Sequence, residues 1–342
     1  MIEPVPFMVR VTCKTYNHVN YITDAMNGFC MQQTNFPFVC TIVDDASTDG
    51  EQEVIRQYLN DNFDLQDTSI AYEKDEAYGH VAFARHKTNV NCFFAVVYLN
   101  ENHYSQRKPK APYLKEWTDN VKYIALCEGD DYWTDPLKLQ KQVDFLEGHE
   151  EYSMCFHKVK VESQEGGEES IFSDLKEGTY CAQDIYEDWI IPTCSVLYRN
   201  GVQFESHPSI VFGDIFLFLQ LAERGNLYCM EFVGGVYRRH SGGVSFGYSI
   251  HTCVKLYHQY RFFERRFPEL KDISRRKEES QGLLGIIYAD YFPGIWKYRF
   301  YYMLRHPKLF FSSFFTTTIL SYTPLRNHKI WKKHGSEKSV AS

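Results

Sequence analysis

Short apolar runs rich in β-branched residues alternate with helical patterns along the N-terminal part of this chain, and this alternation constrains the fold more than any other feature. Residues 7–13, 38–43 and 69–73 are predicted as strands, and residues 19–32 and 51–59 between them as helices. Strands that alternate with helices form βαβ units, in which successive strands lie parallel in one sheet. The pattern predicts an α/β protein with a doubly wound, mostly parallel sheet.

The C-terminal part of the chain has a different composition. Aromatic residues make up 16% of the sequence, and after about Tyr248 they are concentrated in helical patterns. Residues 291–336 contain eight Lys or Arg residues and no Asp or Glu. We therefore predict two parts, an α/β domain over residues 1–247 and a helical, basic and aromatic region over residues 248–342.

This basic aromatic region has two interpretations. Aromatic rings favour the headgroup boundary of a membrane and basic side chains attract anionic lipids, which predicts peripheral contact with a membrane. Alternatively, its helices pack as a bundle against the α/β domain. Residues 309–322 carry no charge, but these 14 residues are fewer than the roughly 20 that a helix needs to span a bilayer.

Charge and cysteine content limit the class of function and the compartment. The net charge of −7 argues against nucleic acid as a partner, because phosphate backbones require a basic surface. The ten cysteines form no CxxC or zinc-ribbon pattern and most lie in apolar runs, so we expect them to be reduced. Residues 1–11 lack the basic and apolar segments of a secretion signal. We expect a cytoplasmic protein.

Three polar clusters follow predicted strands. They lie at residues 13–18, 44–50 and 128–131. Ligands bind outside the carboxyl ends of the strands in an open parallel sheet, so these clusters are candidate site residues. Each cluster alone is also explained by turn and cap chemistry, because Asp, Asn, Ser and Thr are preferred there. Their joint occurrence favours a site.

The cluster Glu128-Gly129-Asp130-Asp131 indicates a metal. Carboxylates on one turn repel each other unless a cation neutralises them, and hard oxygen ligands select Mg²⁺ or Mn²⁺. Such ions are commonly completed by substrate phosphates. The sequence contains neither GxGxxG nor a P-loop motif, so a metal is the remaining means of holding a nucleotide diphosphate.

Together these segments resemble a known family. Residues 15–18, 43–50 and 126–133 closely resemble, in this order, the motifs of the family-two glycosyltransferases, which have the GT-A fold. The resemblance covers about the first 245 residues. It implies a GT-A-like domain that transfers a sugar, with inversion, from a nucleotide diphosphate donor to an acceptor hydroxyl. It also implies a role in bacterial cell-surface glycan synthesis, with a glycan or lipid-linked acceptor.

The resemblance assigns the donor pocket. In the family, the second carboxylate after strand two contacts the nucleotide base, which implies Asp45 in this chain. Lys14, Thr15 and Tyr16, at the turn after strand one, would line the same pocket.

The family's metal motif is DxD, and its first position is Glu128 in this chain. The resemblance implies that Asp130 binds Mn²⁺ or Mg²⁺ directly and meets the donor. Asp131 would lie close by, and Glu128 would act through water.

Residues 212–214 resemble the family's Glu-Asp motif, whose Asp is the catalytic base. This resemblance implies Asp214 as the base, although Gly213 replaces the usual Glu. Alternatively, Asp214 is only the N-cap of the helix that it begins.

Residues 236–245 resemble the family's late loop, which implies that His240 completes the metal site. A structural role is the alternative for this histidine. The loop would also supply donor contacts from Arg238, Arg239 and Ser241. A weaker match at residues 193–195 implies that Thr193 and Ser195 lie on the acceptor side.

Two other classes of protein share some of these features. A sugar-phosphate nucleotidyltransferase would use the same sheet and metal but needs a Gly-rich loop after strand one, which Lys14-Thr15-Tyr16 does not provide. A non-catalytic protein that binds a nucleotide sugar for a partner is the second alternative. Donor hydrolysis or transfer distinguishes an enzyme from such a binding protein.

Overall fold

The computed structural model describes residues 6–164, 170–201, 204–243, 250–288 and 304–307. The chain divides into two compact units. The first consists of Met1–Glu205 and Asp214–Phe246, and the second of Ser206–Gly213 and Gly247–Ser342.

The first unit is built on one large sheet. Among the described residues its strands are β1 (Val9–Thr15), β2 (Phe38–Asp44), β3 (Tyr72–Glu76), β4 (Gly79–Arg85), β5 (Cys92–Leu99), β6 (Tyr123–Leu126), β7 (Tyr132–Trp133), β8 (Tyr152–Ser163), β9 (Ser170–Ile171), β10 (Gly178–Tyr180), β11 (Leu197–Arg199) and β12 (Asn226–Arg239). The strand order is β10-β12-β8-β11-β6-β1-β2-β5-β4-β3, with β7 paired to β12 and β9 to β8.

The centre of this sheet is parallel. Strands β6, β1, β2 and β5 are neighbours and all run in one direction. Strands β11 and β4 are antiparallel to both of their neighbours, so β8, β12 and β3 beyond them return to the common direction. All residues of β2 and β5 are buried, as expected for strands covered on both faces. The predicted α/β class with a mostly parallel sheet is confirmed.

Helices connect the parallel strands. The α-helices among the described residues are α1 (Ile22–Cys30), α2 (Glu51–Asn62), α3 (Lys138–Gly148), α4 (Ala182–Glu187), α5 (Gly213–Ala222), α6 (Ile250–Arg266) and α7 (Lys271–Tyr288), with 3-10 turns at Ala111–Trp117, Thr193–Ser195 and Pro268–Leu270. Helix α1 illustrates why the sequence pattern predicts helices here. Its residues Ile22, Ala25, Met26 and Phe29 are spaced to lie on one helix face, and all four are buried.

Strand β12 is longer than the sequence indicates. The sequence pattern predicts a strand near residues 227–232, yet the backbone continues as a strand through Gly234 and Gly235 to Arg239. Its pairing with β8 shifts register between Met230 and Val233 and again between Val233 and Gly235. These irregularities accommodate the glycines without ending the strand. The segment expected as a late loop is therefore strand up to Arg239.

The second unit contains α6 and α7, so the predicted helical C-terminal extension is confirmed where the structure describes it. None of the helices in the described residues has the length and apolarity needed to cross a membrane. Most of the basic aromatic stretch of residues 291–336 lies outside the described residues. The assignment of residues 1–247 and 248–342 as separate domains stays a prediction.

A buried lysine lies in the core of the first unit. Lys138, the first residue of α3, is fully buried, and its ammonium lies 3.8 Å from the centre of the Trp133 ring. Its Nζ has no hydrogen-bond partner among the described residues. Burial lowers the pKa of Lys138 to about 7. The stacked indole compensates only part of the lost hydration.

We predict that Lys138→Met stabilises the protein at pH 7 by on the order of 2 kcal/mol, because Met fills the same space without a charge. The unfolded chain keeps a proton on Lys138 that the folded chain loses above about pH 7. Wild-type stability should therefore rise between about pH 7 and 10, and the advantage of the variant should shrink over that range. Denaturation midpoints measured at several pH values test this. Lys115→Met, at an exposed site, is the control, and an equal effect of both variants would contradict the prediction.

Candidate functional site

The three polar clusters lie at one edge of the sheet. Strands β1 and β2 end in register, with Thr15 opposite Asp44, and Thr12 of β1 lies opposite Leu126 at the end of β6. The turns that follow these strands therefore occupy the carboxyl edge of the parallel centre. This is where an open α/β sheet binds its ligands.

The turn after β1 is bonded to the turn after β2 through Glu51, which is fully buried. The Glu51 carboxylate accepts hydrogen bonds from the His18 amide (2.9 Å), from the Ser47 hydroxyl (2.8 Å) and from the Thr15 hydroxyl. Asn17 adds to this contact, because its side-chain oxygen accepts the Thr48 amide at 2.8 Å. The two turns consequently form one hydrogen-bonded body.

The turn after β6 packs against Thr15. A Cβ atom at Gly129 would lie 2.2 Å from the Thr15 hydroxyl oxygen, so only glycine fits here. The Gly129 amide donates to the Lys14 carbonyl at 3.0 Å. This close approach positions Asp130 beside the turn that carries His18.

His18, Asp130 and His240 form a cluster that can hold a metal ion. The Nε2 atoms of His240 and His18 lie 3.0 Å and 3.8 Å from the same Asp130 oxygen, Oδ2. One ligand atom from each residue lies within 4.8 Å of the other two. Adjacent ligands of an octahedral ion are about 3 Å apart, so small side-chain movements suffice for binding. Burial lowers the pKa of His18, which favours the neutral imidazole that metals require.

The other two predicted metal ligands, Glu128 and Asp131, have hydrogen-bond partners in the protein and are not members of this cluster. Glu128 accepts a hydrogen bond from the Thr193 hydroxyl at 2.7 Å. Asp131 is buried and accepts the Arg238 amide at 2.9 Å. Burial raises the pKa of both carboxyl groups, and the negative charge of Asp130 adds to the effect. Among the four predicted ligands, Asp130 and His240 belong to the cluster, and His18 is the member that sequence reasoning missed.

Asp45 is already engaged in the structure. Its carboxylate is buried and accepts the amides of His103 (2.8 Å) and Tyr104 (3.0 Å). Lys110 pairs with it at 2.8 Å. Asp45 thus fixes the backbone of the polar segment that follows β5, at His103 and Tyr104. A contact between Asp45 and a nucleotide base stays a prediction, and it requires the Lys110 ammonium to move or to contact the base as well.

The two arginines predicted to contact the donor, Arg238 and Arg239, differ in whether protein carboxylates already pair with them. The Arg238 guanidinium contacts Asp24 at 2.5 Å and Glu162 at 3.3 Å, and it lies over the rings of Tyr21 and Tyr132. Its charge is therefore largely neutralised by protein groups. Arg239 is exposed, and no carboxylate among the described residues pairs with it. Alternation along β12 directs these two side chains to opposite faces.

The remaining predicted donor contacts vary in exposure. Lys14 is accessible to solvent, yet burial of its ammonium lowers its pKa, against the opposing effect of the Glu128 carboxylate. This combination is typical of a side chain in a cleft. Tyr16 is 42% exposed and Ser241 is also exposed. Thr15 is buried, and its hydroxyl bonds within the protein.

Asp214 lies in the first turn of α5. Its Oδ1 accepts the Ile215 amide at 2.8 Å, and no cation of the described residues pairs with it. Burial raises the pKa of Asp214, which suits a group that must accept a proton near neutral pH. The carboxylate lies one residue inside the helix and not at the N-cap position.

Of the two predicted acceptor-side residues, Thr193 is partly exposed and bonds Glu128. Ser195 is fully buried, and its hydroxyl donates to the Pro192 carbonyl at 2.7 Å. Only Thr193 is therefore within reach of a ligand in this conformation.

Comparison with known proteins finds relatives by sequence and similar solved structures. Uncharacterized proteins of Mycobacterium tuberculosis and Mycobacterium bovis are 32% identical over 234 residues, which cover 67% of this chain. The matched segment spans 58% of the length of these relatives. No family model matches the chain.

Solved structures to which this chain is similar include two glycosyltransferases. The structure of residues 1–349 of S. aureus TarS in complex with UDP-GlcNAc has a TM-score of 0.49 and 16% identity, and the match covers 83% of this chain and 81% of that TarS fragment. The mannosyltransferase PcManGT from Pyrobaculum calidifontis, in complex with GDP-Man and Mn²⁺, has a TM-score of 0.47 and 13% identity. That match covers 98% of this chain and 86% of the mannosyltransferase.

Proposed function

We propose that this chain is a metal-dependent, inverting glycosyltransferase of the GT-A type that uses a nucleotide diphosphate sugar as donor. The observation that carries the proposal is the cluster of His18, Asp130 and His240 at the carboxyl edge of the parallel strands. The site lies where α/β sheets bind nucleotides, and its donor set suits a divalent cation. The sequence motifs around it resemble those of the family-two glycosyltransferases.

The metal site supports Mn²⁺ over Mg²⁺. Mg²⁺ is held mainly by oxygen ligands, whereas two of the three groups here are imidazole nitrogens. Mn²⁺ shares the preference of Mg²⁺ for carboxylate and water oxygens, but as a first-row transition metal it also accepts nitrogen ligands. When bound, the ion would neutralise the charge that develops on the leaving diphosphate.

The nucleotide would lie along the turns after β1 and β2. Lys14 and Tyr16 are accessible side chains on the first turn, and they offer a charge and a stacking surface. Asp45 and Lys110 present an acceptor and a donor side by side at the end of β2. The buried Thr15 would pack below the side chains that line this pocket. Arg239 and Ser241 would supply the remaining polar contacts to the donor.

The chemical step requires a base for the acceptor hydroxyl. Asp214 would remove this proton as the hydroxyl attacks the anomeric carbon from the face opposite the diphosphate. Its raised pKa and the absence of a cationic partner among the described residues support this role. Thr193 would contact the acceptor. A transfer product that retains the anomeric configuration of the donor, identified by proton NMR, would contradict the proposed mechanism.

The acceptor is proposed to be a glycan or lipid-linked intermediate of bacterial cell-surface synthesis, used by a cytoplasmic enzyme at the membrane surface. The basic stretch of residues 291–336 supports this proposal through its charge.

We predict that the full-length protein floats with anionic vesicles and that replacing Lys329, Lys332 and Lys333 with Gln weakens this binding. Each basic residue near an anionic surface contributes about 1 kcal/mol, so a drop of roughly a hundredfold is expected. The control replaces three exposed lysines of the first unit, Lys87, Lys115 and Lys122. Equal flotation of both variants would locate the membrane contact elsewhere, and no flotation of the wild type would exclude it.

A further inference from the structure

We propose that Glu51 is a positioning residue that acts through Thr15 to fix the tautomer of His18, so that His18 is a third protein ligand of the metal. The inference rests on the proposed function because the metal is proposed to bind the nucleotide sugar donor. The residues that it concerns belong to the metal site alone.

The Glu51 carboxylate is arranged to accept and not to donate. One oxygen, Oε2, accepts the His18 amide at 2.9 Å and the Ser47 hydroxyl at 2.8 Å. The other oxygen, Oε1, contacts the Thr15 hydroxyl. Burial raises the pKa of Glu51, and the hydrogen bonds from His18, Thr15 and Ser47 oppose this effect because charge-assisted hydrogen bonds favour the charged form.

The Thr15 hydroxyl has a single proton, which it donates in a hydrogen bond to Glu51 Oε1. The same hydroxyl oxygen lies 3.2 Å from His18 Nδ1. Since the proton points to the carboxylate, the oxygen can only accept at this second contact. The proton between Thr15 and His18 must then belong to Nδ1 of the imidazole.

A proton on Nδ1 leaves the lone pair on Nε2. This nitrogen faces Asp130 Oδ2 at 3.8 Å, beside His240. Imidazoles that bind metals typically donate their second ring proton to a neighbouring acceptor, which fixes the tautomer and the ring orientation. Thr15 and Glu51 supply that acceptor here, and they reach His18 from two different turns of the sheet edge.

The geometry makes Glu51→Gln a sharp test. The backbone amide of His18 cannot change its role, so the carbonyl oxygen of the introduced glutamine must take the position of Oε2 and its NH₂ group must face Thr15. The Thr15 hydroxyl would then accept from the amide and donate to His18 Nδ1. The proton of His18 would move to Nε2, where it blocks metal binding, although the substituted side chain keeps its size.

We expect nitrogen-detected or long-range ¹H–¹⁵N NMR of the metal-free, full-length protein to show the Nδ1–H tautomer of His18 in the wild type and the Nε2–H tautomer in Glu51→Gln. We also expect Mn²⁺ affinity, measured with the metal alone, to fall about ten- to hundredfold in this variant. Glu53→Gln changes the same charge on an exposed residue of α2 and should change neither quantity. Thr15→Ser, which keeps the hydroxyl, should retain both wild-type results.

An Nε2–H tautomer in the wild type would overturn the proposal, and so would unchanged Mn²⁺ affinity in Glu51→Gln or no Mn²⁺ binding by the wild type. A merely structural role of Glu51 would lower stability without exchanging the tautomer. If the tautomer and the metal affinity behave as expected but no nucleotide sugar binds, the proposed function fails and this inference stands.

Discussion

Replacing Asp214 with Asn is expected to slow sugar transfer by about a hundredfold or more, with little change in affinity for the nucleotide sugar. The reason is that the proposed base meets the acceptor hydroxyl and not the donor. Asn keeps the size of the side chain and its hydrogen bond from the Ile215 amide, but it cannot take up a proton. The transfer rate and the affinity for the nucleotide sugar, measured separately on the folded variant, test the two parts of this prediction.

The structural alternative predicts a different result. A carboxylate that only stabilises the first turn of α5 can be replaced by Asn at small cost, because Asn serves helix N-termini about as well as Asp. Asp184→Asn is the matched control, since Asp184 lies in the first turn of α4 and accepts the Cys181 amide at 2.8 Å. Near-wild-type turnover of Asp214→Asn would assign the base to another residue.

The pH dependence of transfer has a defined sign. Burial raises the pKa of Asp214 above that of an ordinary aspartate. The base is lost when it is protonated, so the rate should fall as pH decreases through this raised pKa. The pH–rate profile of Asp214→Asn should lack this decrease at low pH.

Replacing Asp130 with Ala is expected to lower Mn²⁺ affinity by at least about a hundredfold, because loss of a direct ligand exceeds the usual cost of removing a supporting residue. Asp130 Oδ2 is the oxygen that both His18 and His240 face. Without it the two imidazoles have no shared anionic partner. Binding of the nucleotide diphosphate should fall with the metal, and the variant should behave like the wild type in chelator.

An exposed carboxylate provides the control for this experiment. Asp61→Ala removes an acid from the surface of α2 and should leave Mn²⁺ affinity unchanged, because within the described part of the chain its carboxylate accepts hydrogen bonds from Gln57 alone. Retained affinity in Asp130→Ala would show that the metal, if bound, is held elsewhere. Calorimetry or the electron paramagnetic resonance signal of free Mn²⁺ measures both variants.

The sheet could be predicted because its strands and helices are encoded by patterns of neighbouring residues in the sequence. Buried strands such as β2 are continuous apolar runs, and the apolar spacing of α1 matches one helix face. Strand β12 was read too short because Gly234 and Gly235 resemble a turn. Its continuation depends on pairing with β8, a strand about seventy residues earlier in the chain, and a local pattern carries no such information.

The candidate site was predictable only in part, for the same reason. Asp130 stood out because adjacent carboxylates require an explanation, and His240 stood out beside two arginines. The engagement of Arg238 with Asp24 and Glu162 depends on residues far away in sequence, so the sequence gives no sign of it, and a contact between Arg238 and the donor stays a prediction. His18 and Glu51 look like ordinary turn and helix-start residues until the two turns are seen to meet.

The central claim is that this site binds a nucleotide diphosphate through a divalent metal. Calorimetric titration of the full-length protein with UDP, GDP, CDP, ADP and dTDP, once with Mn²⁺ and once with EDTA, tests it most directly. We expect at least one of these nucleotides to bind with Mn²⁺ and its affinity to fall at least about tenfold in EDTA, because the pocket otherwise offers few cations for two phosphates. Equal affinity in EDTA, or no binding of any of the five, would contradict the account.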